Sequence, residues 1–258
     1  MCYDISFLVK GETVLDYLPH LKIDPQISLS FEPKIHLMAP LYPKAPPVHY
    51  PVIIFENGEY RLVEFLWNLI PTILRIRKDI QKKGGNLCNA RSEKLLDPRS
   101  LWYQYRNNRC LVPMSSIFEH RKVQGFKNKI PYAIKLKGRE MFALPGLYNY
   151  SPIPDPETGE VKGTFTFFTR AANSVMRAIH NDGPNAFRMP LFLNKELEQK
   201  WLLPDLTDQE MKEITEYEMP SEELDYWTVH TIRTTKPRPD EKSKIDPYAW
   251  ENLPQLQY

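Results

Sequence analysis

The chain has 258 residues, of which 42% are hydrophobic and 26% are charged, a balance typical of a globular protein with a real core. The formal net charge is only +2, from 34 Lys and Arg against 32 Asp and Glu. This balance excludes a protein that coats nucleic acid through its overall charge, so any contact with DNA must come from a local basic patch.

Short runs rich in β-branched or aromatic residues predict strands, and runs with a period near 3.6 predict helices. In chain order these are strands at 34–39, 51–55 and 60–65, a helix at 73–83, strands at 110–113, 132–136, 141–144 and 164–169, helices at 171–179 and about 207–217, and a strand at 226–232. The helix near 207–217 opens with a capping box, in which Thr207 is followed three residues later by Glu210.

Many strands, few helices and no strict βαβ alternation predict an α+β fold. We expect a single domain around a curved, mostly antiparallel β-sheet, or partial barrel, with a few flanking helices. No internal repeat, low-complexity block or shift in composition marks a linker. Residues 1–258 are therefore expected to form one domain, with the functional motifs in about 1–203 and a C-terminal helix and strand within 204–258 packed on that part.

The three cysteines, Cys2, Cys88 and Cys110, are an odd number without metal-ligand spacing. Residues 1–10 contain an acid, Asp4, and no apolar run long enough for a signal peptide. No segment approaches the roughly 20 apolar residues of a membrane helix. These features predict a reducing, cytoplasmic location, with Cys88 and Cys110 buried as small hydrophobic residues and with no metal or cofactor.

The first candidate for chemistry is Cys2, which follows Met1. Removal of an initiator methionine, which occurs before small residues, would expose an α-amine and a thiol on adjacent carbons. Such an aminothiol condenses with an aldehyde to an imine, which the thiol closes to a thiazolidine. With ordinary pKa values of about 8 and about 8.5, both groups are partly reactive at neutral pH. Taken alone, Cys2 is more often a buried cysteine without a chemical role.

The segment Asn-Ala-Arg-Ser-Glu at 89–93 combines an amide with a guanidinium that suits phosphate. The alternative is a helix N-cap, with Asn89 or Ser92 as the capping residue and Glu93 in the first helical turn. The two interpretations are compatible, and the pentapeptide does not choose between them.

Glu119 lies in an apolar run that follows Arg-Cys-Leu-Val-Pro at 109–113. If its side chain points inward, burial raises the pKa of the carboxyl and suits it for general acid–base catalysis. Spacing alone favours the alternative, an exposed glutamate on a strand.

His180 ends the predicted helix 171–179, and Arg-Met-Pro follows at 188–190. At a helix C-terminus we expect a raised pKa for the imidazole, although a structural histidine is the usual interpretation. Trp67 is either a core residue or a surface on which a base stacks. A basic run in the helix 73–83 is more often a solvated face than a DNA contact: Arg75, Arg77, Lys78, Lys82 and Lys83.

The order of these motifs resembles the SRAP family, the SOS-response-associated peptidases, whose animal members were described as hydroxymethylcytosine-binding proteins. The matching pieces are Met-Cys at the start, Trp-Asn-Leu-Ile-Pro, Asn-Ala-Arg-Ser-Glu, Arg-Cys-Leu-Val-Pro with Phe-Glu downstream, Phe-Ala, Gly-Leu, Phe-Thr, and Ile-His with Arg-Met-Pro. The resemblance extends from Cys2 to about Trp201 and rests on the order of the motifs rather than on any one of them.

The resemblance implies a protein that shields abasic sites in single-stranded DNA, where the opened sugar exposes an aldehyde. It implies that Cys2 forms the thiazolidine and that Asn89 holds the cross-linked residue. Glu119 would move protons at the amine, and His180 would assist sugar ring opening or the reverse reaction. DNA contacts are implied for three arginines and one aromatic residue: Arg91, Arg109, Arg188 and Trp67.

Several residues depart from the family pattern. The family opens Met-Cys-Gly-Arg, whereas this chain has the acid Asp4 in place of a basic phosphate contact, which predicts weaker or rerouted DNA binding. Six residues, 182–187, precede Arg188 where the family runs from His almost directly into Arg-Met-Pro, an insertion able to move Arg188 relative to His180. The family's Tyr-Glu-Trp is Phe-Glu-His at 118–120, and the Gly of Trp-Gly-Leu-Ile-Pro is Asn68.

The leading hypothesis is covalent capture of abasic sites in single-stranded DNA, as part of a response to DNA damage. A second hypothesis is a peptidase or hydrolase with Cys2 as an N-terminal nucleophile, as the family's older name indicates. A third is a non-covalent reader of single-stranded or modified DNA, with salt-sensitive binding that does not need Cys2. The expected partner is DNA, with no membrane, metal or cofactor.

Overall fold

The computed structural model describes residues 2–9, 11–18, 20–24, 27, 33–40, 47–74, 86–155 and 158–258. Within these ranges the chain forms 13 β-strands and four α-helices. The strands are β1 Asp4–Phe7, β2 Lys22–Ile23, β3 Lys34–Met38, β4 His49–Glu56, β5 Glu59–Trp67, β6 Asn89–Arg91, β7 Arg109–Met114, β8 Ser116–Arg121, β9 Ile130–Leu136, β10 Phe142–Tyr150, β11 Gly163–Ala171, β12 Arg188–Pro190 and β13 Leu224–Thr228. The helices are α1 Gly11–Leu15, α2 Ser174–Ile179, α3 Lys195–Trp201 and α4 Asp208–Glu216.

The strands form two sheets. Five strands make the first sheet, in the order β13-β9-β8-β1-β3, and all their pairings are antiparallel. The second sheet has the order β12-β11-β10-β7-β4-β5-β2, with β6 paired to β11. A parallel pairing between β5 and β11 joins distant strands of that order and closes the sheet into a ring. The fold is therefore α+β with curved, mostly antiparallel sheets, as predicted.

All eight predicted strands are present, although the run 226–232 begins earlier, at Leu224, and ends at Thr228. Five strands were not predicted: β1, β2, β6, β8 and β12. These strands are short or, like β1 and β8, contain charged residues without alternation. In β1 and in the first four residues of β8 every side chain is buried, because both faces of the strand are covered.

The predicted helices differ from the structure at their N-terminal ends. The segment predicted as helix 171–179 begins at Ser174, because Asn173 caps it with a hydrogen bond accepted from the backbone of Met176 at 3.0 Å. In α4 the predicted capping box of Thr207 and Glu210 is present. The predicted helix 73–83 and its basic residues lie outside the described residues from residue 75 onward.

The hairpin of β4 and β5 is closed by a two-residue turn, Asn57-Gly58, between the paired residues Glu56 and Glu59. Both turn residues have positive φ, 54° and 80°. This backbone matches the right-handed twist of paired strands and is accessible to Asn and Gly at little cost. The turn therefore sets the register of β4 and β5 in the second sheet.

The core is packed with large side chains from both sheets, including Phe7, Tyr50 and Trp201, which are at most 1% exposed. Cys88 and Cys110 are completely buried in it, as predicted. No helix within the described ranges is long and apolar enough to span a membrane.

Candidate active site

The candidate site lies where the two sheets approach each other. Cys2 lies two residues before the first residue of β1, which pairs with β8 so that Asp4 lies opposite Phe118. In the second sheet, β6 pairs with β11 and places Asn89 opposite Phe167. The start of β1 and the start of β6 are in contact, because the Asn89 Nδ2 donates a hydrogen bond to the Cys2 carbonyl oxygen at 2.9 Å.

The Cys2 side chain is 1% exposed, and its thiol donates to the carbonyl oxygen of Asp4 at 3.5 Å. Burial raises the pKa of the Cys2 thiol well above its ordinary value, and the charges of Glu119 and Asp4 raise it further. The expectation that the thiol is partly ionised at neutral pH is therefore wrong. The structure keeps Cys2 as a protonated thiol.

Asn89 is 6% exposed and starts β6. Its Oδ1 is buried without a hydrogen-bond partner among the described residues, although its Nδ2 is bound to Cys2. A buried amide oxygen without a partner costs free energy, so it marks a group available to a bound molecule. The N-cap alternative is wrong, because Ser92–Lys94 is a single 3₁₀ turn preceded by Arg91, without a side-chain cap.

Glu119 lies on β8 and is 5% exposed, so the exposed-strand alternative is wrong. Its neighbour Phe118 is buried on the opposite face, in a small apolar cluster with Ala133, Val229 and Ile232. Both faces of the strand are thus covered, which sequence alternation does not reveal. Burial raises the pKa of Glu119 to about 7. Its Oε1 has no hydrogen-bond partner among the described residues.

His180 follows the last residue of α2, and its Nε2 lies 3.9 Å from Oε2 of Glu119. Its Nδ1 is 2.8 Å from the carbonyl oxygen of Arg188. Because a carbonyl oxygen only accepts, Nδ1 carries the proton of the neutral ring and Nε2 presents a lone pair toward Glu119. Burial lowers the pKa of His180 to about 4, which corrects the expectation of a raised value. Desolvation outweighs the helix C-terminus here, since α2 has only six residues.

The insertion at 182–187 does not separate His180 from Arg188. The Phe187 N–H donates to the carbonyl oxygen of His180 at 2.7 Å, so the loop closes on itself. The Asn181 side chain fixes the start of the loop by bonding both backbone groups of Lys122, at 2.8 and 3.0 Å. The inserted residues therefore form a closed loop beside the site.

The expected DNA-contacting arginines are placed differently from one another. Arg91 is exposed, and no hydrogen bond or ion pair joins its guanidinium to another described residue. The guanidinium of Arg188 is bound by both carboxylate oxygens of Glu93 and by the carbonyl oxygen of Thr169 at 2.6 Å. Arg91 is thus available to a phosphate, whereas Arg188 would have to exchange Glu93 for one.

Arg109 and Trp67 do not face the solvent, which corrects their predicted DNA contacts. Arg109 is 5% exposed, and its guanidinium donates to the carbonyl oxygens of Arg106, Trp201, Leu203 and Pro204. Trp67 is 1% exposed, and its Nε1 donates to the carbonyl oxygen of Cys88 at 2.9 Å. Its ring centroid is 5.4 Å from that of Phe167, so the tryptophan stacks in the core and not on a base.

Sequence reasoning missed Arg233 and His36, which both bind Asp4. The guanidinium of Arg233 bonds both carboxylate oxygens of Asp4, and Nε2 of His36 lies 2.7 Å from Oδ1. Asp4 itself is 1% exposed. The acid that replaces the family's basic phosphate contact therefore does not face the solvent, and weaker or rerouted DNA binding stays a prediction. An acid in the buried strand β1 signals a cationic partner, but the sequence does not say which one.

Within the described part of the chain, no group of three or more His, Cys, Asp or Glu side chains could hold a metal ion. The chemistry that this site offers comes from its own side chains. It combines a protonated thiol, a carboxyl that titrates near neutral pH, a neutral imidazole and an amide with an unused acceptor. Such a set can donate protons to, and accept them from, the oxygen of a carbonyl group, while the Asn89 amide orients the backbone of Cys2.

Comparisons with known proteins show what the chain is similar to. The family model described as SOS response associated peptidase (SRAP) matches residues 2–233. The abasic site processing protein YoqW of Bacillus subtilis is 36% identical over 169 residues, which cover 66% of this chain and 69% of YoqW. The abasic site processing protein YobE of the same organism is 34% identical, over 66% of this chain and 71% of YobE. A crystal structure of a protein from Bacteroides thetaiotaomicron superposes with a TM-score of 0.75 and 28% identity, over 95% and 97% of the two chains.

Proposed function

Because this chain belongs to the SRAP family, we propose that it processes abasic sites in DNA by capturing them covalently through Cys2. The relatives that support this proposal are named abasic site processing proteins. The observation that carries it is the hydrogen bond of Asn89 to the Cys2 carbonyl, 87 positions away, beside a thiol on which the charge of Glu119 acts. The proposed substrate is single-stranded DNA, in the setting of a DNA damage response.

The proposed reaction requires removal of Met1, which frees the α-amine of Cys2. The amine adds to the aldehyde carbon of the ring-opened sugar, and loss of water gives an imine. The thiol then adds to the imine carbon, its proton passes to the nitrogen, and the thiazolidine closes. One C–N and one C–S bond form, and the aldehyde oxygen leaves as water.

The electrostatics of the site favour this order of steps. Burial raises the pKa of the Cys2 thiol, so the thiol remains protonated while the amine attacks first. Glu119, with a pKa of about 7, can protonate the leaving hydroxyl during imine formation. Neutral His180 presents Nε2 as a proton acceptor 3.9 Å from the Glu119 carboxyl, which suits it to relay a proton at the sugar oxygen.

The site is less suited to one form of the peptidase alternative, attack by a preformed thiolate. That form needs a lowered thiol pKa and a positively charged neighbour. Here the pKa of Cys2 is raised, and burial holds the pKa of His180 at about 4, so the imidazole is uncharged at neutral pH. The same residues are compatible with attack by a neutral amine.

The experiment is adduct formation with a single-stranded oligonucleotide that carries one abasic site. Intact mass spectrometry first establishes that Met1 is absent from the protein purified from its native host. We expect a stable adduct whose mass equals protein plus DNA minus water, lost in Cys2→Ala and kept in Cys110→Ala, since Cys110 is also a fully buried cysteine. Release of peptide products with turnover would favour the peptidase, and undiminished adduct from Cys2→Ala would refute capture through Cys2.

A further inference from the structure

The ion pair of Asp4 and Arg233 has two very unequal members. The Asp4 side chain is 2% exposed, whereas that of Arg233 is 45% exposed. Burial raises the pKa of Asp4, but the hydrogen bonds from His36 and Arg233 outweigh it and hold the pKa below its ordinary value. The negative charge is therefore fixed inside the protein, and the positive charge of the pair is the one that reaches the surface.

The guanidinium of Arg233 is only partly used by this pair. Its Nε and Nη2 bind the carboxylate of Asp4, and its Nη1 has no hydrogen-bond partner among the described residues. The carboxylate thus fixes one edge of the guanidinium plane and leaves the Nη1 end free. An arginine held in this way loses little conformational freedom when a second oxygen anion binds it.

The position of Arg233 relates it to the candidate active site. Asp4 lies two residues after Cys2, and the charge of Arg233 acts on both the Cys2 thiol and the Glu119 carboxyl. Two other cations near the site are already paired, since Arg188 is bound to Glu93 and Lys129, whose charge acts on Glu119 and His180, is bound to Asp182. Arg91 and Arg233 are then two cations with unused guanidinium donors that this part of the described chain presents to an incoming DNA strand.

We propose that Arg233 binds a backbone phosphate next to the captured sugar, with Asp4 as the positioning residue that holds its guanidinium. This inference rests on the proposed function, because it assigns the phosphate to the DNA strand whose abasic sugar reaches Cys2. His36 binds the same carboxylate and keeps it from rotating away from the arginine. The family model matches residues 2–233. Cys2 and Arg233, at the two ends of that match, would thus act on the same DNA strand.

The test is the salt dependence of binding to a single-stranded oligonucleotide with a tetrahydrofuran abasic analogue, which has no aldehyde and cannot be captured. For Arg233→Gln we expect affinity to fall about tenfold at moderate salt, since a charge-assisted hydrogen bond is lost. The slope of log K against log salt should decrease in magnitude by about 0.7, the value for one phosphate contact on a single strand. The matched control is Arg61→Gln, because Arg61 is also paired with carboxylates, those of Glu56 and Asp24, but lies at the opposite end of β5 from Trp67.

A purely structural role for Arg233, as the counter-charge of Asp4, makes a different prediction. The double variant Asp4→Asn with Arg233→Gln would then restore both affinity and slope, because no unpaired charge remains. Under our proposal the double variant stays as weak as Arg233→Gln, and Arg233→Lys recovers most of the slope.

Failure of the proposed function is separable from failure of this inference. If the natural abasic oligonucleotide gives an adduct but Arg233→Gln leaves the slope unchanged, the phosphate site is refuted and capture stands. If the slope changes and no adduct forms, capture is refuted and the phosphate site stands. Thermal unfolding of each variant tests whether the variant is folded, so that a reduced slope of log K against log salt is not caused by unfolding.

Discussion

The side-chain amide of Asn89 donates a hydrogen bond to the backbone carbonyl oxygen of Cys2 at 2.9 Å, and the two residues lie 87 positions apart. This bond holds Cys2, two residues before β1, against the first residue of β6 and so joins the two sheets at the site. The bond orients the backbone of Cys2 rather than its thiol. The orientation of an α-amine on Cys2 therefore depends on this bond.

Replacing Asn89 with Ala should slow adduct formation by roughly tenfold, because one hydrogen bond that orients Cys2 is lost. The measurement is the rate of adduct formation under single-turnover conditions. The matched control is Asn149→Ala, since Asn149 is also 6% exposed and donates from Nδ2 to the carbonyl oxygen of Ile70 at 2.7 Å. A similar loss of rate in both variants would mean that stability and not orientation is responsible.

Glu119 should act in its protonated form, so its contribution to the rate should disappear at high pH. The pKa of Glu119 is about 7 in the folded protein. We expect the ratio of the wild-type rate to that of Glu119→Gln to fall as pH rises through about 7, because Gln cannot titrate. Taking the ratio removes the separate titration of the α-amine. A ratio that is constant from pH 5 to about 9 would contradict acid catalysis by this residue.

The same carboxyl should make the protein less stable at alkaline pH. Its folded pKa of about 7 lies above the ordinary value of 4.5, so the folded state binds more protons than the unfolded state between these values. Stability therefore falls as pH rises from about 4.5 to above 7. Glu119→Gln should be more stable than wild type at pH 8, by up to about 3 kcal/mol, with the difference shrinking toward pH 4. Denaturant unfolding measures this, with Glu64→Gln as an exposed strand control.

Asp4 should contribute stability with the opposite pH dependence. Its folded pKa is held below the ordinary value by His36 and Arg233, despite burial. Its contribution is therefore present above the unfolded pKa of about 3.9 and is lost as pH falls through the lower folded pKa. Asp4→Asn should cost about 2 kcal/mol or more at pH 7, since the arginine loses its partner. In acid unfolding the curves of the wild type and the variant should converge as pH falls below the lowered folded pKa, and parallel curves would contradict this assignment.

Trp67→Phe should reduce stability without changing DNA binding. The variant loses the hydrogen bond from Nε1 to the Cys88 carbonyl oxygen and part of a fully buried ring, which should cost about 1–3 kcal/mol. Because Trp67 is 1% exposed, the affinity for an abasic-analogue oligonucleotide and its salt slope should stay within twofold of wild type. A large loss of affinity in a folded variant would restore the base-stacking interpretation.

The positions of eight strands along the chain and the identity of the chemical groups were both accessible from the sequence. Eight strands were predicted because their apolar, β-branched runs are bounded by turn residues, as in β4 and β5. Of the strands that were missed, β1 and most of β8 are buried on both faces, where a pattern of alternation cannot appear, and the others, β2, β6 and β12, have only two or three residues. Cys2, Asn89, Glu119 and His180 were identified through the resemblance of ordered motifs, not through periodicity.

What the sequence by itself determined is which reactive groups the chain carries and in what order they occur. Only the tertiary structure decided their environment, because burial and ion pairing depend on segments far apart in the chain. Burial of the Glu119 carboxyl on β8 raises its pKa. Burial of the His180 imidazole lowers its pKa, although the C-terminal end of α2 acts in the opposite direction. The partner of Asp4 is 229 positions away, and no local pattern links the two residues. Desolvation and Coulomb interactions act through space, so their sign at each residue is a property of the fold.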